Sequence, residues 1–370
     1  MAELIEFSDA SAADDEILRQ MLRQTPLPGW VSLSFEREPS LLMAAALEGE
    51  THRVIVAKDA VSGRVIGFFT RSVRKVFING GTETVGYLGQ LRFESSRSRV
   101  VSAMRQGYAY WRDHVRQPSE CQFDLTAVLA DNRPARRLLE AGIDGLPTYT
   151  PLADFSTLAI KTSHHSWDGA VAPGTPERLD EIACFLRRQY RAYQFAPCWT
   201  GDELRRLCAV GGLRPDDFLL VEENGDIVGC VAIWDQTSFK QTIVRGYSRS
   251  IRMTRPLINI AAPLAGLPSL PPVGTGLRQA FLSHLAVIPG REQDLLPRLV
   301  RAARTRARER GAEVVLIGGA SSHPSIAATK REFRHLEYKS IIYLVHWPEI
   351  PSAIDHIDRG QLAFLELATL

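Results

Sequence analysis

The 370-residue sequence predicts an α/β protein built from two similar units, each a mixed, largely antiparallel sheet flanked by helices. Two pairs of matching segments support this prediction. Residues 54–67 and 220–229 both contain a strand, a turn with glycine, and a second strand that begins Val-Ile-Gly or Ile-Val-Gly. Residues 87–91 (YLGQL) and 281–285 (FLSHL) are both strand-like, and each precedes a polar loop and a long amphipathic helix. Such a repeat indicates that one supersecondary arrangement occurs twice.

The chain length predicts two domains, because a typical domain has ~150 residues. We place the N-terminal unit, called the first copy, at residues 1–161 and the C-terminal unit, called the second copy, at residues 175–370. Residues 162–174 between them contain two adjacent histidines, Asp-Gly and Pro-Gly, which is typical of a linker.

The second copy is longer than the first. Gly67 precedes Leu91 by 24 residues, whereas Gly229 precedes Leu285 by 56 residues, so the second copy carries an insertion at about residues 248–276. The insertion is apolar and rich in proline, which predicts a long loop that either lines an acceptor pocket or covers an interface between copies or subunits.

Local signals predict the elements of the first copy in order. Apolar residues three or four apart indicate helices, β-branched or alternating runs indicate strands, and glycine marks turns. The predicted order is helix 17–22, helix 40–48, strands 53–58, 65–73 and 85–93 with a hairpin turn at Gly80-Gly81, helix 101–111, strand 121–129, helix 132–141 and strand 152–161.

The second copy begins with a helix, because Thr175 is a suitable N-cap and Pro176 a suitable first residue. The same signals predict the rest of this copy. The predicted order is helix 176–190, strands 218–222 and 227–234, the insertion, strand 280–287, helix 293–310, strand 314–317, helix 325–333, strand 340–345 and a last strand at 361–370.

Composition excludes several functional classes. The net charge of +2 argues against a large nucleic-acid footprint, which requires clustered Lys and Arg. Five scattered cysteines without a CxxC pair argue against a disulfide framework or a zinc site. The first residues show no secretory signal, and no run reaches the ~18 apolar residues of a membrane span. We therefore expect a cytoplasmic protein without a metal, nucleic-acid or membrane partner.

The order of strand, bend, anion-binding helix start, strand and helix resembles the GCN5-related N-acetyltransferase (GNAT) family, as two tandem copies with degenerate coenzyme A (CoA) motifs. In that family, a strand Leu-x-Val-x-Pro leads into Arg-Gly-x-Gly-x-Gly at a helix start. Residues 285–289 (LAVIP) match the strand, but residues 290–294 (GREQD) replace the glycines with two acids. Glu292 and Asp294 suit a helix N-terminus. The resemblance therefore implies that the second copy no longer binds a cofactor.

The first copy is similar to the family in its phosphate loop. The resemblance implies that acetyl-CoA binds there as co-substrate, through Leu91, Phe93, Arg97, Ser98, Arg99, Val100, Val101 and Ser102. A solvated basic turn is the alternative interpretation of residues 97–102. Residues 132–142 resemble the family's Asn-x-x-Ala-x-x-x-Tyr-Glu-x-x-Gly, which implies a cofactor contact for Asn132, while Asn132 is also a suitable helix N-cap. The family's tyrosine acid is Leu139 here.

The resemblance implies an acyl-CoA-dependent N-acyltransferase that transfers acetyl to an amine of a small molecule or peptide by direct attack. The position of the family's base holds Gln90 in the first copy and His284 in the second. The catalytic candidates are therefore Tyr87, Tyr149 and His284, each of which could equally be a structural core residue. An inactive tandem GNAT protein with a binding or regulatory role is the alternative, and a homodimer is one arrangement that either function allows.

Overall fold

The computed structural model of the protein describes residues 5–94, 97–164, 169–350 and 354–370, and for residues 97–99 and 263 it describes the backbone alone. The strands are β1 (Ile5–Asp9), β2 (Val31–Glu36), β3 (Thr51–Asp59), β4 (Val65–Ile78), β5 (Gly81–Phe93), β6 (Phe123–Leu129), β7 (Thr148–Lys161), β8 (Val171–Pro173), β9 (Phe218–Glu223), β10 (Asp226–Trp234), β11 (Gln241–Tyr247), β12 (Gln279–Val287), β13 (Val314–Ala320) and β14 (Leu336–His346).

Several of the helices pack on the faces of these strands through stripes of apolar residues. In the first of them, Leu18, Met21 and Leu22 are buried and lie on one face. The helices are α1 (Asp15–Gln24), α2 (Leu41–Ala45), α3 (Arg97–Tyr110, extended by a π-helical turn at Trp111–Val115), α4 (Arg133–Leu139), α5 (Leu179–Tyr190), α6 (Gly201–Val210), α7 (Arg249–Leu264), α8 (Glu292–Glu309) and α9 (Pro324–Glu332).

Twelve strands of the described residues form one continuous sheet in the order β1-β3-β4-β5-β6-β14-β7-β13-β12-β10-β9-β8. Most neighbouring pairs are antiparallel, and β5 with β6 and β12 with β13 are the parallel ones. The predicted fold class, a mixed and largely antiparallel sheet flanked by helices, is confirmed. The remaining strands, β2 and β11, pair antiparallel as a separate ribbon.

The two halves exchange their last strands at the centre of this sheet. Strand β7, from residues 148–161, pairs with β13 of the second half, and β14, near the end of the second half, pairs with β6 of the first. The exchanged strands then pair with each other. The centre of the sheet is therefore shared by both halves.

The matched segments of the sequence occupy matched positions in the structure. Gly67 pairs with Phe93, and Gly229 pairs with Val287. Just before these pairs, each strand carries a bulge, and Gln90 (φ 53°) and His284 (φ 51°) both adopt the left-handed conformation there. Positive φ is uncommon outside glycine. Its occurrence at equivalent positions shows that the two strands bend in the same way.

Three predicted elements differ in the structure. The hairpin turn between β4 and β5 is Asn79-Gly80 rather than Gly80-Gly81, because Ile78 pairs with Gly81 and both intervening residues have positive φ.

The insertion is not a long loop, because residues 249–264 form helix α7. Its apolar residues recur at helical spacing, and Arg255 and Asn259 bind the backbone of Leu270 through their side chains. These tertiary hydrogen bonds hold the helix although Pro256 removes one backbone donor from its interior.

Residues 361–370 do not form the predicted last strand. Their backbone pairs with Gln194 instead of the sheet, since the N–H of Phe364 donates to the carbonyl of Gln194 at 2.8 Å. The segment ends in a short 3-10 turn at Leu367–Thr369. Phe364 and Leu365 are buried.

Candidate functional site

A buried ion cluster holds the first parallel strand pair together. Strands β5 and β6 pair at Gly86 with Asp124 and at Tyr87 with Leu125. Asp124 is fully buried and accepts from Arg71 at 2.8 and 3.0 Å and from Arg116 at 2.6 Å. A Cβ at residue 86 would overlap the Asp124 carboxylate, so glycine is needed for this close approach.

The two strands separate directly beyond this cluster. Residues 88–93 of β5 and residues 126–129 of β6 line the same cavity, whose volume is about 450 Å³. The hydroxyl of Thr126 donates to the carbonyl of Leu88 at 2.8 Å, which closes the inner end of the gap. The result is a cleft between two strands, called the first cleft, that opens into a larger cavity.

The cavity extends from the first cleft along the shared centre of the sheet. Its wall includes Phe155, Thr157 and Ala159 of β7 and further residues of β12, β13 and β14. The ribbon of β2 and β11 covers it. The ribbon residues in the wall alternate along each strand, as expected for one face of a strand: Val31, Leu33, Phe35, Thr242 and Val244. A volume of 450 Å³ is within the range of small-molecule sites.

Two predicted catalytic residues line the cavity. The hydroxyl of Tyr87 is hydrogen-bonded to the backbone, because the N–H of Ala127 donates to it at 3.2 Å. The hydroxyls of Tyr149 and Tyr108 are hydrogen-bonded to each other. Burial raises the pKa of both Tyr87 and Tyr149 above the ordinary tyrosine value. These phenols therefore keep their protons at neutral pH and do not serve as bases, although their hydroxyls can still donate or accept a hydrogen bond.

The third candidate, His284, does not lie on the cavity wall. Its ring is buried between Trp199, Phe218 and Trp234, with centroids 4.5, 5.4 and 6.2 Å away. Burial lowers the pKa of His284 to about 3, so the imidazole is neutral at physiological pH. Its Nδ1 lies 2.9 Å from the hydroxyl of Ser283. This placement favours a structural role.

The predicted cofactor-binding residues divide into two groups. Leu91, Phe93 and Asn132 line the cavity. The carboxamide oxygen of Asn132 also accepts from the N–H of Ala135 at 3.4 Å, so Asn132 caps α4 and borders the cavity at once.

The remaining cofactor candidates begin α3, next to the end of β5. The side chains of Arg97, Ser98 and Arg99 lie outside the described part of the structure, and their backbone forms the first turn of the helix. Val100 and Val101 are half-buried and Ser102 is exposed. The wall of the cavity does not include these last three residues.

The corresponding cleft of the second copy is filled by protein. The N–H of His284 donates to Glu366 at 2.8 Å, and the carbonyl of Leu285 accepts from the hydroxyl of Tyr190 at 3.2 Å. The Phe364 ring packs on Tyr190 at 4.6 Å. A cavity of about 10 Å³ remains there, which has room for no more than a water. Glu292 and Asp294 lie in the first turn of α8, in agreement with the helix-terminus interpretation, and Asp294 accepts from the N-cap residue Arg291 at 2.6 Å.

Three cationic residues in the cavity wall were not predicted: Arg37, Arg92 and Lys240. The guanidinium of Arg37 lies 2.9 Å from the carboxylate of Glu48. The Nε of Arg92 has no hydrogen-bond partner among the described residues, and burial lowers the pKa of Arg92 to about 10. Burial lowers the pKa of Lys240 to about 7. The sequence offers one weak indication that Lys240 is special: it is one of six lysines in a chain in which arginine supplies most of the 44 cationic residues.

Lys240 is held at the end of the chain segment that fills the second cleft. Its Nζ donates to the carbonyl of Ala368 at 3.5 Å and to an oxygen of Leu370. The Nζ also lies 5.3 Å from the centre of the Phe281 ring. An uncharged amine with two N–H groups can make both of these hydrogen bonds and still keep its lone pair free for a proton.

Comparison with known proteins identifies the fold. No protein-family model matches the chain, and no curated protein matches it significantly. Saccharomyces cerevisiae N-myristoyltransferase with bound myristoyl-CoA is similar at 10% identity and a TM-score of 0.59, covering 92% of this chain and 79% of the other. A further structure of that enzyme, with myristoyl-CoA and inhibitors, is 11% identical with a TM-score of 0.51 and covers 94% of this chain and 87% of the other.

A GCN5-related N-acetyltransferase from Sphaerobacter thermophilus is similar over 92% of this chain and 95% of the other, at 13% identity and a TM-score of 0.51. Identities this low show the fold alone. The expected GNAT-like fold is confirmed: the chain has the fold shared by N-myristoyltransferase and this N-acetyltransferase.

Proposed function

We propose that the protein is an N-acyltransferase that takes an acyl group from a CoA thioester and transfers it to an amine. The observation that carries this proposal is the first cleft, which is open and continues into an apolar cavity, while the equivalent cleft of the second copy is filled. The difference supports one donor site, in the first copy. We propose accordingly that residues 1–161 and 175–370 are two units of one duplicated fold, of which the second supplies part of the cavity wall.

The donor would lie along β5 and end at α3. Its pantetheine arm would follow Leu91 and Phe93, with Asn132 on the opposite side. Its phosphates would reach the first turn of α3, where the backbone N–H groups of a helix start and the helix dipole favour negative charge and where the chain carries Arg97 and Arg99.

The cavity favours an acyl group longer than the acetyl group that the sequence resemblance implies. The cavity extends well beyond the first cleft, where the pantetheine arm would lie, so an acetyl group would leave much of its 450 Å³ unfilled, and the side chains around it are mainly Leu, Val, Phe and Ala. Each CH₂ group of a longer alkyl chain that is buried in this cavity would stabilise the complex by about 0.8 kcal/mol. The bound ligand of the yeast structures, myristoyl-CoA, is a donor of this kind.

The reaction needs a group that accepts a proton from the amine. The amine nitrogen forms the new C–N bond at the thioester carbon, the C–S bond breaks, and CoA leaves as the thiolate. We propose that the neutral form of Lys240 takes the amine proton, since it is the cavity group whose pKa lies nearest neutrality. Tyr87 and Tyr149 would serve as hydrogen-bond donors rather than bases.

The first test compares donors of different chain length. With a mixture of amines present, we expect CoA to be released faster from octanoyl- and tetradecanoyl-CoA than from acetyl-CoA. Without amines, we expect the two longer donors to raise the melting temperature of the protein more than acetyl-CoA does. Val244→Phe should reduce the long-chain activity selectively, because residue 244 faces the cavity. Ile243→Phe is the matched control on the opposite face of the same strand.

The outcomes separate the alternatives. A larger response to acetyl-CoA than to the longer donors would support an acetyltransferase and would contradict the inference of a long acyl group from the cavity volume. Binding of donors without turnover of any amine would support the inactive binding protein. No response to any CoA thioester would end the proposal.

The second test concerns the phosphate site. The double variant Arg97→Ala/Arg99→Ala is expected to weaken CoA binding by about 1–3 kcal/mol for each charge-assisted bond lost. Calorimetry with CoA measures this directly. The matched control is Glu292→Ala/Asp294→Ala at the equivalent helix of the second copy, which should leave the affinity unchanged; equal effects of both double variants would contradict the assignment to the first copy.

A further inference from the structure

Helix α7 carries apolar side chains on two opposite faces. Toward the protein, Ala262 is buried and Ile258 is half-buried. On the opposite side, four large apolar residues spaced by four, three and four positions lie on one face, and each is 70–89% exposed. This outer stripe consists of Met253, Leu257, Ile260 and Leu264.

Helix α7, which carries the exposed outer stripe, is held in place by hydrogen bonds to the protein. The Nε of Arg255 donates to the carbonyl of Leu270 at 2.9 Å. Asn259 makes two hydrogen bonds with the same residue, at 2.9 and 2.7 Å. Leu270 lines the cavity, so α7 is attached to the cavity wall by its inner face. A contiguous apolar patch on such a fixed element marks an interaction surface.

The charged residues of α7 and of the sequence that flanks it are of one sign. From Gln236 to Arg291 the sequence contains no Asp or Glu, and its charged residues are Lys and Arg. Arg249 and Arg252, both exposed, lie beside the outer stripe at the N-terminal end of α7. An apolar stripe bordered by arginines is the composition of helices that lie in the interface of anionic bilayers.

We propose that α7 docks the protein on an anionic lipid bilayer, with the outer stripe among the acyl chains and Arg249 and Arg252 at the level of the phosphates. A second copy of the chain fits the surface less well, because α7 carries no Asp or Glu with which Arg249 and Arg252 of a facing helix could pair. This inference does not depend on acyl transfer.

The sequence led us to expect no membrane partner, because no apolar run is long enough to span a bilayer. That reasoning applies to membrane-spanning segments and not to helices that lie on the bilayer surface. Within the described residues, no helix combines the length and the hydropathy that a bilayer span requires. An interfacial helix needs neither, since only one of its faces enters the lipid and its net hydropathy stays low.

The test is sedimentation with vesicles. The intact chain should sediment with phosphatidylcholine vesicles that contain phosphatidylglycerol, weakly with phosphatidylcholine alone, and less as NaCl is raised. Leu257→Ser/Ile260→Ser should abolish sedimentation. Arg249→Glu/Arg252→Glu should weaken it by about tenfold or more.

Controls match each variant in chemistry and exposure. Val61→Ser removes another exposed apolar side chain, in the turn between β3 and β4, and Arg334→Glu reverses another exposed arginine, between α9 and β14. Absence of sedimentation for the wild type would overturn the proposal, as would equal sedimentation of the α7 variants and their controls. Light scattering supplies the remaining outcome: a wild-type dimer that dissociates in Leu257→Ser/Ile260→Ser, without vesicle binding, would assign the stripe to a subunit interface instead.

Discussion

Replacing Asp124 by Asn is expected to lower the free energy of unfolding by about 3–5 kcal/mol, the usual cost of breaking a buried ion pair from one side. The carboxylate is fully buried and is the shared partner of Arg71 and Arg116. A neutral amide removes the charge that Arg71 and Arg116 share, which leaves Arg71 with Glu120 as its remaining carboxylate partner and leaves the buried Arg116 undercompensated. Urea unfolding followed by circular dichroism and fluorescence measures the loss.

Asp113→Asn is the matched control, because Asp113 is about half-exposed and pairs only with its neighbour Arg112 among the described residues. We expect its effect to stay within about 0.5 kcal/mol. Since Asp124 also pairs β5 with β6 at the closed end of the first cleft, donor binding should weaken in folded Asp124→Asn protein. A loss below about 1 kcal/mol would show that the cluster does not hold these strands.

Replacing Lys240 by Met is expected to reduce kcat by about 10²–10⁴, the usual contribution of a positioned general base. The wild-type rate should rise with pH through about 7, because the neutral form of Lys240 accepts the proton. In Lys240→Met this limb should disappear from the pH profile of kcat.

The variant Lys240→Arg distinguishes a role of Lys240 in proton transfer from a role of its positive charge. Arginine keeps the cation and the hydrogen-bond donors but does not lose its proton at accessible pH. We therefore expect Lys240→Arg to be as slow as Lys240→Met. Restored activity with the wild-type pH profile would show that Lys240 only positions the neighbouring backbone.

The same residue predicts how stability depends on pH. The pKa of Lys240 is about 7 in the folded protein, below the ordinary value of 10.5. Between these two values the unfolded chain binds more protons than the folded one, so stability rises with pH across this window. Stability measured from pH 7 to 10 should therefore rise more steeply in the wild type than in Lys240→Met; parallel curves would contradict the lowered pKa.

The sequence by itself determined the local structure at matched positions of the two halves. The match of Leu91 with Leu285 led to two strands that carry the same bulge at Gln90 and His284. Asn132 was predicted as an N-cap and is one. These features depend on neighbours within a few residues, and periodicity and turn chemistry are enough to find them.

Only the tertiary structure decided which strands pair across the chain and what they enclose. The exchange of β7 and β14 joins residues that are far apart in sequence, and no local pattern distinguishes an exchanged strand from one that closes its own half. Lys240 owes its lowered pKa to burial at the start of a ribbon strand whose partner strand lies about 200 residues away. The filling of one cleft and the opening of the other likewise depend on where a distant segment packs, so the candidate site emerged only from the folded chain.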